Sequence, residues 1–83
     1  MSATTEKYIG WKNYHTWNIS LWIQNDEGLY EIAKTYAREG YLSLANELKE
    51  AQCFITPDGV SYTDPTLDIE ELDNLLISLT EEN

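Results

Sequence analysis

The sequence predicts a mainly α domain with a minor β part: a small bundle of about four helices and a short β-hairpin near residues 54–62. Three observations predict it. Apolar residues recur with a 3.6-residue period in several stretches. Capping residues stand where those stretches begin. A Pro57-Asp58-Gly59 turn separates two short β-prone runs. The chain has 83 residues, the size of one small domain.

Residues 1–7 are polar and aperiodic and are expected to be a disordered tail. The single globular domain is expected over 8–80, with Gly10 as a turn and 81–83 frayed. Asn13 is a helix N-cap, and Tyr14 to Gln24 reads as the first helix. Asn25 or Asp26 caps the second, and Asp26 and Glu27 suit the positive end of its dipole. Its periodic apolar set is Leu29, Tyr30, Ile32, Ala33, Tyr36 and Ala37. Gly40 ends it as a left-handed residue. A third helix is expected from Leu42 or Ser43 to Gln52, with Leu44, Ala45 and Leu48 inward. Phe54-Ile55-Thr56 and Val60-Ser61-Tyr62 are the hairpin arms, which must lean on the helices because an isolated hairpin is marginal in water. Asp68 and Glu71 form a capping-box pair for the last helix, and Leu67 and Leu72 a hydrophobic staple. That helix carries Leu72, Leu75, Leu76 and Leu79 on one face and is expected to end near Thr80.

The net charge is -10, from 15 acids and 5 bases. This excludes ordinary binding to a phosphate backbone and docking on anionic lipid. Cys53 is the single cysteine, so no disulfide framework or multi-cysteine metal site is expected. No apolar run approaches a membrane span, and no signal-peptide core opens the chain. A soluble cytoplasmic protein is expected.

The charge is unevenly placed. Residues 1–57 hold seven acids and all five bases, whereas 58–83 hold eight acids and no base. One reading is a solvated face whose acids suit helix starts. The other is a partner-binding face made of Asp64, Asp68, Glu70, Glu71, Asp73 and Glu81, since dense single-sign charge steers association. Glu70, Asp73 and Glu81 are expected on one outward side of the last helix, with Ile77 among them as an anchor or as a covered core residue.

All three tryptophans fall between Trp11 and Trp22. On a helical wheel Tyr14, Trp17 and Leu21 share one side, and His15, Ile19, Trp22 and Ile23 another. A helix apolar on two sides is either central to the fold or covered by another chain. His15, Ile19, Trp22 and Ile23 are therefore candidates for self-association into a homodimer, against core packing as the ordinary alternative. Asn18 and Ser20 show no evident role and read as solvated.

His15 is the lone histidine, and nothing places a nucleophile and an orienting group around it. Cys53 beside Phe54 reads as a buried small hydrophobe. The acids lack calcium-loop spacing, and there is no phosphate loop, HExxH or CxxC. No enzyme activity, cofactor or metal site is expected.

The run Trp11-Lys12-Asn13-Tyr14-His15-Thr16-Trp17-Asn18, followed by Leu21-Trp22-Ile23-Gln24-Asn25-Asp26, resembles an uncharacterised small domain family of phage and bacterial proteins. That family opens with W-K-N-Y-E-T-W-N-x-x-L-W-I-x-N-D, so His15 stands where a Glu is usual. Thr56-Pro57-Asp58-Gly59-Val60 and Asp64-Pro65-x-Leu67-Asp68-x-Glu70-x-Leu72-Asp73 are similar to its second half. The resemblance covers roughly residues 8–80 and carries no activity. It implies a phage or prophage setting, and hence the cytoplasm of a host cell. In that setting the expected function is a non-enzymatic, anti-CRISPR-like accessory protein. It would bind and inhibit a basic host protein, such as a nucleic-acid-binding defence complex, by presenting carboxylates where phosphates sit. The alternative is a structural or assembly module that self-associates through the aromatic helix.

Overall fold

The computed structural model describes residues 11–81. The expectations for residues 1–10 and 82–83 lie outside the described residues. Four helices follow in order: α1 Tyr14–Asn25, α2 Glu27–Thr35, α3 Tyr41–Glu50 and α4 Ile69–Glu81. α4 packs on all three others, while the backbones of α1 and α3 do not approach one another. No described helix is long and apolar enough to cross a membrane.

α1 and α2 are separated by one residue. Asn13 Oδ1 accepts from Thr16 N at 2.8 Å to start α1. Asp26 Oδ1 accepts from Leu29 N at 2.9 Å to start α2. α2 ends at Thr35, five residues before Gly40. Gly40 has the expected positive φ, +97°, but it stands at the N-terminus of α3. A glycine offers no capping side chain. The acceptor comes instead from α4, where Asp73 Oδ1 takes the Tyr41 N–H at 2.6 Å. Gly40→Ala is expected to destabilise the fold by about 2 kcal/mol, from the left-handed backbone and local crowding. The added Cβ would stand 3.3 Å from that Asp73 oxygen. Urea unfolding beside Gly59→Ala, where a Cβ meets nothing within 4 Å, separates crowding from backbone strain.

α3 closes with Gln52 at φ +62°. Gln52 N donates to Lys49 O and Cys53 N to Leu48 O, the paired bonds of a left-handed helix stop. Leu44, Ala45 and Leu48 are buried as expected, and so is Tyr41, whose hydroxyl donates to Tyr62 O at 2.6 Å.

The two-stranded hairpin is not shown. A single antiparallel bridge joins Ile55 to Ser61. Thr56 N donates to Val60 O and Tyr62 N to Phe54 O, but the pairing goes no further toward the turn, because the Thr56 hydroxyl accepts from both Asp58 N and Val60 N. α4 is capped by Asp68, whose Oδ1 accepts from Glu71 N at 3.0 Å. The staple residues Leu67 and Leu72 are both buried. The other half of the capping box is redirected: Asp68 N donates to Thr16 Oγ1, and Glu71 accepts from Lys12 N. α4 runs through Glu81, one residue beyond the expected end.

The core is Ile19, Ile23, Leu29, Ala33, Tyr41, Leu44, Leu48 and the Leu72, Leu75, Leu76 and Leu79 face of α4. Of the two sides of α1, Ile19 and Ile23 are buried, Trp17, Leu21 and Trp22 are half-buried and Tyr14 is exposed. The buried residues of α1 are Thr16, Asn18, Ile19, Ser20 and Ile23, three of them polar. Each of the three has a hydrogen-bond partner, which is what buried polar groups require.

Candidate functional site

The nominated carboxylates fall into three groups. Asp64, Asp68 and Glu71 gather at the start of α1. Asp64 Oδ1 accepts from Thr66 N at 2.7 Å and from the Thr66 hydroxyl, and Asp64 Oδ2 lies 3.8 Å from His15 Nε2. Asn13 Nδ2 donates to Thr66 O, which ties the 64–66 loop to the α1 cap. Glu71 takes Lys12 N at 2.9 Å. Asp73 forms the second group alone. It turns toward the α3 N-terminus and not outward with Glu70 and Glu81 as expected, because the cap-less Gly40 leaves a helix start unserved. Glu70 and Glu81 form the third. They are exposed on α4 with Asn74 and Ile77, and Ile77 is 47% exposed. Every described helix start thus carries a carboxylate or carboxamide acceptor, where the dipole favours negative charge.

No lysine or arginine among the described residues stands within ion-pair distance of an acid; the one ionic contact is His15 with Asp64. The acidic half is therefore uncompensated. Its charge is also held in place. Hydrogen bonds from the Thr66 hydroxyl and backbone N–H keep the Asp64 carboxyl below the usual carboxylate range, with a smaller contribution from His15. Hydrogen bonds from Asn18 and Trp22 do the same for Asp58.

Asp58 belongs to a network that the sequence reading missed. Asn18, fully buried on α1, donates from Nδ2 to Asp58 Oδ2 at 2.8 Å. Its Oδ1 accepts from the buried Thr56 hydroxyl at 2.8 Å. Trp22 Nε1 donates to the same Asp58 oxygen at 2.9 Å. Four side chains from α1 and the 56–58 turn are locked together, and Trp22 is held with its ring half-buried. A polar residue inside an aromatic helix is the one local signal that could have pointed here.

Depressed carboxyl pKa values set a pH dependence with a definite sign. The stabilisation from Asp58 and Asp64 is fully present above their unfolded value, near 3.8. It is lost as pH falls through their lower folded values. The melting temperature is expected to hold flat from neutrality to roughly pH 5 and to fall below roughly pH 4. Asp58→Asn should flatten part of that fall; an unchanged acid limb would remove Asp58 as a contributor.

The four residues nominated for self-association divide. Ile19 and Ile23 have no exposed surface and belong to the core, so only His15 and Trp22 present any. The His15 side chain is 42% exposed, with Nδ1 3.3 Å from Thr66 Oγ1. Thr66 gives its hydroxyl proton to Asp64 in the described geometry. Cys53 is exposed, contrary to its expected burial, and lies against the Tyr62 hydroxyl, which burial pushes up to about 12. Among the described residues no group of three His, Cys, Asp or Glu side chains could hold a metal ion.

No curated protein and no solved structure matches the chain. A family model does match, over residues 4–82; its description is Family of unknown function (DUF7249). The resemblance read from the aromatic run thus holds at the level of an uncharacterised family, and a phage setting does not follow from the match.

Proposed function

For a chain that belongs to that family of unknown function, we propose a non-enzymatic binding protein that sets its acidic half against a basic surface of a partner protein. The observation that carries this is the uncompensated charge: eight acids and no base in residues 58–83, with no described lysine or arginine near enough to neutralise any acid. Charge of one sign, fixed by hydrogen bonds, steers a basic partner and selects against acidic ones. Nucleic acid itself is repelled by the same charge. On α4, exposed Glu70, Asn74, Ile77 and Glu81 recur at helical spacing, so an apolar side chain lies within an acidic rim, as interface patches are built. In its finer form the partner is a nucleic-acid-binding defence complex of a phage host, and the carboxylates stand in for phosphates.

The test reads displacement of labelled nucleic acid from a purified CRISPR effector. The protein should displace it, less so as salt rises. Glu70→Lys/Glu81→Lys should weaken displacement by about tenfold or more. These two sites are chosen because Glu71 and Asp73 hold backbone N–H groups, and reversing them would disturb the fold. Undiminished displacement by the double reversal removes the acidic face from the reading. Failure to displace from the effector removes the defence-complex form.

A further inference from the structure

Because α1 and α3 do not meet, an open cleft of about 680 Å³ lies between them. Its walls are Trp22 of α1, Leu29 and Ile32 of α2, Leu48 of α3, and Ile55 and Pro57 of the turn. The volume lies within the roughly 300–1,000 Å³ of ligand-binding clefts. Ile32 and Ile55 are 37% and 57% exposed, so the apolar lining reaches the rim of the cleft.

The cleft's surroundings are acidic. Asp58 adjoins Pro57 in the chain. Both hydrogen bonds to it fall on Oδ2, and Oδ1 has no partner among the described residues. The Trp22 indole that walls the cleft also holds this carboxylate, so an anion and an aromatic face are fixed side by side. Asp26 lines the cleft as well.

We propose that this cleft takes a peptide segment of a partner protein whose bulky apolar side chains are flanked by lysine or arginine. The apolar side chains enter between Trp22, Ile32 and Ile55, and a cationic group meets Asp58 Oδ1. Charge complementarity selects this occupant over an acidic or neutral one. The inference rests on the reading of a basic partner given above and adds a second contact site to it.

The probes are three labelled helical peptides with one shared leucine–alanine face, flanked by lysine, glutamine or glutamate, titrated by fluorescence anisotropy at low salt. The lysine peptide is expected to bind, the glutamine peptide about tenfold more weakly, and the glutamate peptide not at all. Asp58→Asn keeps an oxygen that accepts from Asn18 and Trp22, so it should preserve the fold while reducing affinity for the lysine peptide alone. Ile55→Asp, at an exposed position, should reduce affinity for both binding peptides with circular dichroism unchanged. Equal affinity for the three peptides overturns the proposal, as does binding indifferent to Ile55→Asp. A dimer in sedimentation that Ile55→Asp dissociates would assign the cleft to a second copy and overturn it too. Effector displacement with Glu70 and Glu81 reversed reads the acidic face, and peptide titration reads the cleft, so either can fail while the other stands.

Discussion

Replacing Asn18 by leucine is expected to destabilise the domain by about 3 kcal/mol. The side chain is fully buried and makes two hydrogen bonds, one of them to an ionised carboxylate. Its loss leaves the buried Thr56 hydroxyl without an acceptor, and an unsatisfied buried group costs about 1–3 kcal/mol. The bond to Asp58 is lost as well, though that carboxylate is exposed and water screens it. Leucine branches at Cγ as asparagine does but is bulkier, so crowding at this fully buried site limits what its apolar transfer gain can offset. A domain of this size has a total stability of roughly 4–12 kcal/mol. The melting temperature should fall by roughly 10–20 °C. Circular dichroism melts measure it, and a change of under about 0.5 kcal/mol, the range of an inert surface substitution, would show the network to be ornamental. The acid limb of the stability profile should also move, since Asn18 is the larger of the two influences holding the Asp58 carboxyl down.

Leu76→Ala and Ile77→Ala should separate by about 3 kcal/mol although the residues are adjacent. Leu76 has no exposed surface and sits in the core between α4 and its neighbours. Truncating a buried leucine costs about 2–5 kcal/mol, because lost transfer energy adds to an unfilled cavity. Ile77 is 47% exposed on the outward strip, and its truncation should stay within about 0.5 kcal/mol. Under the proposed function the order reverses for binding: Ile77→Ala weakens the partner contact while leaving the fold intact. Ile77→Ala destabilising as much as Leu76→Ala would mean that the strip is covered within the chain.

What could be read from the sequence tracks how local each signal is. Asp68, Leu67 and Leu72 lie within one turn of the residues they serve, and the α4 start and its staple stand where the sequence puts them. The leucine face of α4 was legible for the same reason. Gly40 shows the limit of a local signal. Its positive φ was legible, but which helix it bounds depended on where α2 stopped and on Asp73, thirty-two positions from the Tyr41 that it caps. The hairpin stops at one bridge because Val60 N donates to the Thr56 hydroxyl and Gly59 N to Thr56 O, while that hydroxyl is itself oriented by Asn18, 38 positions earlier, which no periodicity encodes. Asn18 and Ser20 looked solvated since polar residues on a helix usually are. The uneven charge was plain from counting, yet the division of the acids into caps and free side chains was not, because the donors they meet, at Lys12 and Tyr41, are distant in the chain. Ile19 and Ile23 stood open between core packing and self-association because the wheel distinguishes sides of a helix without saying which side is inward.

The cap that Asp73 lends to α3 also sets an order of events. A helix whose first residue follows a glycine with φ +97° and no side-chain cap leaves its Tyr41 N–H to an acceptor from outside the helix. That turn becomes complete only once α4 has docked and delivered its carboxylate. The Tyr41 amide should then exchange with deuterated solvent only through openings that detach α4, at a free energy close to that of global unfolding. Amides at the start of α2, capped from within by Asp26, should keep their slowing through smaller excursions. The start of α3 is thus closed from across the fold, whereas the start of α2 is closed from within its own turn.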